Sequence, residues 1–267
     1  QATPPASVNG VNGTAVAIAG SCAIQSETGN VVCWGNSGEA PPPSVDGTDG
    51  TATAIAAGGH NCAIQADTGK VVCWPHSVFY NVDPPAVVDG TQGTATGISV
   101  GAIHSCAIQA MTANVVCWGD NLLGQATPPA SVNGTDGTAI AIAAGSYHSC
   151  AIQADTGKVV CWGDDSIGQA TPPASVNGVN GTAVAISAGN QTCAIQARTR
   201  KVICWGDNRY GQATPPPSVD GTDGTATAIA AGGTHTLAIV PEPAAALVSA
   251  ASLGSLLTLA RWRRLAN

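Results

Sequence analysis

The chain has 267 residues, enough for one large β domain or two small ones, and only 9% of them are charged and 4% aromatic, against roughly 25% charged residues in an average globular domain. Residues 1–240 carry six basic and fifteen acidic side chains, a net charge of −9. A body of this charge repels phosphate backbones and lacks a basic patch, so DNA or RNA binding is not an expected function.

The chain opens with "QATPP", which is the interior of a "GQATPP" junction found three times further along. It has no initiator methionine and no signal peptide at this end. We therefore expect a fragment or a processed form, with preceding residues that supply a signal peptide and further strands.

An internal repeat of about 44 residues organises residues 1–240. Residues 124–167 and 168–210 are near copies, and the first cysteines of five units stand at positions 22, 62, 106, 150 and 193. A sixth unit runs from Gly211 to Val240. This period is typical of propeller blades.

Each unit has the pattern of a strand followed by a hairpin. In "TAIAIAAG", Ile140 and Ile142 alternate with alanines, which predicts a strand packed on both faces. "HSCAIQ", "ADTG" and "KVVCWG" predict a strand, a tight turn with a left-handed Gly157, and a strand, so that Cys150 faces Cys161. With a short strand at "ASV", the prediction is an all-β propeller of six to seven four-stranded blades.

The ten cysteines form five pairs with a constant separation, and none is left over. Directly opposed residues of an antiparallel pair lie within disulfide range, which favours disulfides. Zinc would need a third ligand such as His60, His104 or His148, but the equivalent position holds Gly20 and Gln191 in two units that keep both cysteines. The separation also rules out a CxxC redox centre. The predicted disulfides join Cys22 to Cys33, Cys62 to Cys73, Cys106 to Cys117, Cys150 to Cys161, and Cys193 to Cys204.

These disulfides are expected to matter most where the hairpin turn lacks glycine. Ala113 and Arg200 occupy the left-handed position in two turns, at a cost on the order of 1 kcal/mol. Closing each loop stabilises the hairpin by up to roughly 3 kcal/mol, and five disulfides imply an oxidising compartment. In the sixth unit Leu237 replaces the first cysteine, and we expect no partner strand there.

Other recurring residues have structural explanations. A tryptophan follows the second cysteine of every pair and is expected to pack between neighbouring blades. Acids and amides follow each Trp, which favours turns closed by Asx side chains, with calcium as an alternative. No catalytic motif, cofactor site or metal cluster is recognised. The loop residues concerned are Asn36, Asp120, Asn121, Asp164, Asp165, Asp207 and Asn208.

The unit "AIAAG..HSCAI..DTGKVVCWGD...GQ" resembles the repeat of the regulator of chromosome condensation family across residues 1–240. The resemblance implies a propeller, commonly of seven blades. Cysteines at two core positions and "ATPP" after Gly-Gln depart from the family pattern, and "WPHSVFYNVDPP" is a degenerate junction. Since fold does not carry function, a binding role is expected, not nucleotide exchange at chromatin.

Residues 241–267 differ abruptly in composition. Residues 244–260 carry no charge, which predicts a short transmembrane helix followed by a basic stop. The ordered set resembles a PEP-CTERM sorting signal, which implies a bacterial precursor held in the inner membrane by this helix, cut by an exosortase and delivered to the cell surface or matrix. The residues that carry the resemblance are Val240, Pro241, Glu242, Pro243, Arg261, Arg263 and Arg264.

Together these observations predict an exported, non-catalytic binding or structural propeller, whose ligand is an extracellular polysaccharide or protein. The alternatives are an extracellular enzyme acting on polysaccharide, with its site on the central face, and a β-solenoid scaffold without a ligand.

Overall fold

A computed structural model of the chain describes residues 3–35, 40–75 and 83–241, together with the backbone of 263–265. In these residues, strands form six antiparallel sheets, which we number blades 1 to 6 along the chain. One short helix, α1 (Pro43–Asp46), follows the first blade.

Each blade has three strands in sequential order. The strands are β1 (Ala15–Ala19), β2 (Cys22–Gln25) and β3 (Val31–Cys33); β4 (Ala52–Ala57), β5 (His60–Gln65) and β6 (Val71–Pro75); β7 (Ala95–Val100), β8 (His104–Gln109) and β9 (Val115–Gly119); β10 (Ala139–Ala144), β11 (His148–Gln153) and β12 (Val159–Gly163); β13 (Ala183–Ala188), β14 (Gln191–Gln196) and β15 (Val202–Gly206); β16 (Ala228–Ala231), β17 (Thr236–Ile239) and β18 (Arg263–Leu265).

The predicted hairpin register is confirmed. Cys150 faces Cys161 and Ile152 faces Val159 between β11 and β12. The turn between them closes through Gly157, whose φ is 68°. Every cysteine pair lies opposite in the same way, because turn length and period are constant along the chain.

Two turns adopt the left-handed conformation without glycine, as predicted. Ala113 has a φ of 57° and Arg200 a φ of 59°. Residues with a Cβ are strained in this region. Blades 3 and 5 therefore have less favourable turns than blades 1, 2 and 4.

The prediction of a fourth strand at "ASV" is wrong, because the described sheets have three strands. The segment begins with two prolines, which cannot donate to a strand ladder, and folds as a turn in which Val132 N donates to the Pro129 carbonyl. One backbone bond, from Val115 N to the Val132 carbonyl, ties it to the outer strand. The valine of this segment is fully buried in five units, where it lies in α1 in one unit and in a turn in the others; these valines are Val45, Val88, Val132, Val176 and Val219.

The first strand of a blade is packed on one face only over part of its length, contrary to the prediction. The pairing of β10 with β11 shifts between Ala139 and Ala141, so Ile140 lies in a bulge and is 61% exposed. Beyond the bulge, Ile142 packs against the core shared with the preceding blade. A bulge re-aims a side chain in this way.

Hydrophobic cores lie between consecutive blades, and five such clusters connect blades 1 to 6 in order. Between blades 4 and 5, Cys150 and Ile152 of one blade meet Ala194 and Trp205 of the next. Small side chains recur in these cores, so the sheets approach closely with few aromatic residues.

The loops after the first and third strands emerge at the same end of every blade, since consecutive strands are antiparallel. We call this end the loop face; in blade 4 it consists of residues 145–147 and 164–169. Backbone hydrogen bonds link its inner loops from blade to blade, for example Ala102 N to the Gly145 carbonyl and Ser146 N to the Gly189 carbonyl. A Cβ at Gly189 would come within 2.0 Å of the Gly232 oxygen, so this approach needs glycine.

The sixth blade differs from the expectation that Leu237 has no partner strand. The backbone of β18 pairs with β17, and Leu237 faces Arg264.

The predicted helix at 244–260 lies outside the described residues. Among the described residues no helix is long and apolar enough to cross a membrane.

Candidate functional site

The five predicted cysteine pairs form disulfides, with Cα atoms 4.0–4.1 Å apart. The first cysteine of each pair is fully buried, and in blades 1 to 4 it lies in the core that its blade shares with the next. The tryptophan of the same hairpin lies on the opposite face; Trp162 packs towards blade 3 whereas Cys150 packs towards blade 5. The disulfides thus stabilise the surfaces through which blades contact each other.

In blades 2 to 5 the residue two positions before the first cysteine forms a side-chain hydrogen bond to the following blade. His60 Nε2 lies 2.6 Å from Ser105 Oγ, and His104 Nε2 lies 2.8 Å from Ser149 Oγ. His148 Nε2 lies 2.6 Å from Thr192 Oγ1. These three imidazoles are buried. We call these bonds the inter-blade latches.

At the latches of His104 and His148 the hydroxyl decides which nitrogen of the imidazole carries the proton, because Ser149 Oγ and Thr192 Oγ1 each donate to a backbone carbonyl. Thr192 Oγ1 donates to the Gln169 carbonyl at 3.0 Å, so it accepts from His148 Nε2–H. In blade 5 the latch residue is Gln191, whose Nε2 donates to Thr236 Oγ1 at 2.9 Å. In blades 2 to 5 this position holds a neutral N–H donor, which histidine and glutamine can both supply, whereas blade 1 has Gly20 there.

Burial lowers the pKa of His60, His104 and His148 to about 4. All three are neutral at pH 7, as the latch requires. Their Nε2 atoms are engaged and the neighbouring cysteines are joined in disulfides, so the groups considered as zinc ligands are committed to other bonds. The described residues contain no group of three or more His, Cys, Asp or Glu side chains able to hold a metal ion.

The predicted packing of the tryptophans between blades is confirmed in blades 2 to 5, and a buried polar network adds to it in blades 4 and 5. The indole N–H of Trp162 donates to the Gln125 carbonyl at 2.9 Å, and Trp205 donates to Gln169 in the same way at 3.0 Å. The same two carbonyls accept from Ser149 Oγ and Thr192 Oγ1. The glutamine of each Gly-Gln pair thus joins the hairpin to the latch.

The acidic loops after β9, β12 and β15 close on themselves, as the turn interpretation predicted. Asp165 accepts from Ala170 N and Thr171 Oγ1. Asp164 accepts from Ser166 and from Gln169 Nε2 at 2.6 Å. Their oxygens accept hydrogen bonds from groups of their own loop, which is the arrangement expected of turns closed by Asx side chains. Asn36 lies outside the described residues.

Two cavities on the loop face are lined by residues that the structure describes. The central one, of about 550 Å³, is lined by Gly, Ala and Val residues of blades 2 to 6, and Ser146 supplies the one polar side chain of this lining. The second, of about 210 Å³, lies between blades 4 and 5. We call it the side pocket; its polar and aromatic lining includes Ser146, Tyr147, Asp164, Asn190, Asp207 and Arg209.

Sequence reasoning identified Asp164 and Asp207 of the side pocket but missed Tyr147, Asn190 and Arg209. These three stand at positions that vary between otherwise similar units. That variation at exposed loop positions was the available signal. Their proximity in space follows from the arrangement of the blades.

Of the predicted sorting-signal residues, Val240 packs at the edge of the core between blades 5 and 6. Pro241 is exposed. The backbone of Arg263 and Arg264 lies in β18, while Glu242, Pro243 and Arg261 lie outside the described residues.

Residues 139–169 and 183–212 match the family model of the regulator of chromosome condensation (RCC1) repeat. Blades 4 and 5 carry the match. No curated protein matches the chain. The match covers two of the six units whose pattern resembles this repeat.

Solved propeller structures are similar over most of the chain. The entire ectodomain of the Physcomitrella patens receptor kinase CR4 is 26% identical with a TM-score of 0.63, covering 84% of this chain and 56% of that one. The chain thus spans little more than half of that ectodomain. The ectodomain of the Arabidopsis thaliana receptor kinase ACR4 is 23% identical (TM-score 0.61, coverage 82% and 72%). Prp20p of Saccharomyces cerevisiae, whose structure was described with its binding to Gsp1p and histones, is 17% identical (TM-score 0.59, coverage 82% and 67%). The architecture is therefore that of an RCC1-like β-propeller.

Proposed function

We propose that this protein is an exported, non-catalytic binding or structural propeller of the cell surface or extracellular matrix. The observation that carries the proposal is the set of five disulfides, one in each of blades 1 to 5. Disulfides of this number persist in oxidising compartments. The likeness to the CR4 ectodomain, which is an extracellular domain by description, supports the same location.

The loop face supports a binding role. Its central cavity has a lining of backbone and small side chains, which offers shape and backbone hydrogen-bonding groups, and its one polar side chain, Ser146, is engaged with Asn190. Catalysis needs titratable or nucleophilic groups positioned towards a substrate. This lining favours binding over the alternative of a polysaccharide-cleaving enzyme at the central face.

Delivery to the surface is proposed to use the C-terminal segment as a PEP-CTERM signal. The segment 244–260 anchors the precursor in the inner membrane, Arg261, Arg263 and Arg264 form its basic stop, and an exosortase cuts near Pro241–Pro243. Pro241 is exposed and follows the last residue packed in the core, which suits access by a processing enzyme. Cleavage would also remove β18 and uncover the edge of β17.

The proposed partners are an extracellular polysaccharide or protein, together with the exosortase during processing. Nucleic acid is disfavoured by the net charge of −9 over residues 1–240. The solenoid alternative is not supported by the likeness to propeller structures.

The test is the intact mass of the protein recovered from its native cell surface, with and without alkylation under non-reducing conditions. We expect a mass ending near Pro241–Pro243 and no alkylated thiol. A matched variant with Arg261, Arg263 and Arg264 changed to glutamine should remain unprocessed while keeping its five disulfides. A full-length product with ten alkylated cysteines would refute the proposal.

A further inference from the structure

The side pocket between blades 4 and 5 differs from the central cavity in its chemistry. Its volume is about 210 Å³, smaller than the clefts of roughly 300–1,000 Å³ that enclose drug-sized ligands. It therefore fits a single ring of a ligand whose remainder lies on the surface. Unlike the central cavity, it presents an aromatic ring and several charged or amide groups.

Tyr147 supplies a flat surface at the pocket. It is 47% exposed, and Ile167 on the adjoining loop is 52% exposed. An aromatic ring has few rotatable bonds, so a planar or ring-shaped ligand face packs on it at a small entropic cost. The position is specific to blade 4, because blade 3 has Ile103 there.

Hydrogen-bonding groups surround this surface in fixed orientations. Ser146 Oγ donates to Asn190 Oδ1 at 2.6 Å, so the amide NH₂ of Asn190 is the donor left for a ligand. Asp164 is held by Gln169 and Ser166. A carboxylate accepts more than two hydrogen bonds, so Asp164 can still accept from a ligand hydroxyl.

Arg209 is held at the pocket by a buried carboxylate. Its Nε and Nη2 donate to Asp207 at 2.8–3.3 Å, while its side chain is 75% exposed and that of Asp207 only 2% exposed. This ion pair lowers the pKa of Asp207, so the carboxylate stays charged. The guanidinium keeps further N–H donors pointing away from Asp207.

Because Asp207 binds Arg209, the side-chain amide of Gln212 is left without a partner. In blades 3 and 4 the loop aspartate accepts from the buried glutamine amide, Gln125 to Asp120 at 2.7 Å and Gln169 to Asp164 at 2.6 Å. In blade 5, Gln212 Nε2 is buried and has no hydrogen-bond partner among the described residues. A buried unmet donor is destabilising, so blade 5 places Arg209 at the pocket at the expense of the common loop bond.

The charges of the lining select against anions. Asp164 and Asp207 outnumber Arg209, whose charge is already matched by Asp207, and His148 is neutral at pH 7. The surrounding body is also acidic. Both carboxylates are satisfied internally, so a cation is not required either. A neutral ligand with many hydroxyl groups meets this set of donors and acceptors.

We propose that the side pocket binds one sugar residue of a neutral polysaccharide, with the sugar ring stacked on Tyr147 and its hydroxyls bonded by Arg209, Asn190 and Asp164. This inference rests on the proposed surface function and names its ligand class and site. Weak binding by a single pocket is the expected regime, since one ring buries little area.

The experiment is a calorimetric and NMR titration of the full chain with cellohexaose, mannohexaose, maltohexaose and, as the anionic comparison, hexagalacturonate. We expect saturable binding of at least one neutral hexasaccharide. Tyr147→Ala should weaken it at least tenfold and Arg209→Ser by a smaller factor. The matched control is Tyr210→Ala, since Tyr210 is 71% exposed and does not line the pocket; it should leave the affinity unchanged.

The proposal is overturned if no neutral hexasaccharide binds at millimolar concentration, if Tyr147→Ala and Tyr210→Ala behave alike, or if hexagalacturonate binds more tightly. Unchanged thermal unfolding of the variants excludes misfolding as the cause. A failure here, with correct processing and no alkylated thiol in the mass experiment, would refute the sugar pocket alone and leave the surface function standing.

Discussion

Blades 4 and 5 are built from nearly the same sequence, yet three of their differences fall at well-defined positions. The latch residue is His148 in one and Gln191 in the other, the hairpin turn has Gly157 or Arg200, and the loop aspartate binds Gln169 or Arg209. The hairpin turn keeps its left-handed conformation, whereas the loop before the latch is one residue shorter in blade 5, where Gly189 and Asn190 replace residues 145–147. The comparison teaches that the blade specifies a donor, a left-handed turn and a closed loop, and that different side chains meet these requirements at different free energies.

The largest effect is expected from removing a disulfide. Cys150→Ala with Cys161→Ala, or Cys193→Ala with Cys204→Ala, should lower the free energy of unfolding by up to about 3 kcal/mol, because both close loops of equal length. Denaturant unfolding measures this. Hydrogen exchange should be faster in the blade 5 hairpin than in the blade 4 hairpin, since Arg200 strains its turn. Equal stability with and without either pair would contradict this account.

Acidification is expected to destabilise the histidine latches but not the glutamine latch of blade 5. His60, His104 and His148 have a pKa of about 4 in the folded chain and 6.5 as the ordinary value. The unfolded chain therefore binds more protons between these values, so stability is complete above pH 6.5 and falls as the pH drops towards 4.

The matched variant is His148→Gln, which copies the latch of blade 5. It should lose about a third of the pH dependence of the melting temperature between pH 7 and pH 4.5, while unfolding normally at pH 7. A pH dependence identical to that of the parent chain would show that the latch at His148 does not control acid stability.

Substitutions in the hairpin turns at Gly157 and Arg200 should change the free energy of unfolding by a smaller amount. Arg200→Gly removes a left-handed residue with a Cβ and should raise the free energy of unfolding by up to about 1 kcal/mol, less the entropy that glycine adds to the unfolded chain. Gly157→Arg should lower it by a similar or larger amount, because a Cβ there meets Thr182 at 3.2 Å. Urea midpoints measure both. Effects of the same sign would contradict the comparison.

The smallest effect is expected in the loop. Arg209→Ser copies Ser166 of blade 4 and frees Asp207 to accept from Gln212 Nε2. One buried hydrogen bond replaces an ion pair whose guanidinium side is 75% exposed, which favours the variant slightly. The side-chain amide protons of Gln212 should become protected from exchange in NMR spectra. Unchanged exchange would show that the loop does not revert to the blade 4 arrangement.

Much of the fold could be predicted because it depends on spacing. The constant hairpin length sets Cys150 opposite Cys161, and the left-handed conformation of Arg200 follows from its alignment with Gly157. The prediction of a fourth strand was wrong because a short apolar run with a valine is typical both of a strand and of a turn whose valine is buried. Two prolines before Val132 decide in favour of the turn.

The candidate site could be predicted only in part. Asp164 and Asp207 have a local signature, since they follow the Trp-Gly of each hairpin. Tyr147, Asn190 and Arg209 come from two successive units, and no local pattern brings them together; the angle between blades does. The pairing of β18 with β17 was missed because Arg263–Leu265 has no alternating strand pattern.

The inter-blade latches all run in the same direction along the chain. In each of the four, the imidazole or amide belongs to the earlier blade and the hydroxyl to the later one. A repeat unit of about 44 residues therefore carries both an N–H donor for the following blade and a hydroxyl acceptor for the preceding blade. Duplication of one unit in the gene would yield a blade that already fits both of its new neighbours, so the array can lengthen in evolution without a compensating change at any existing boundary.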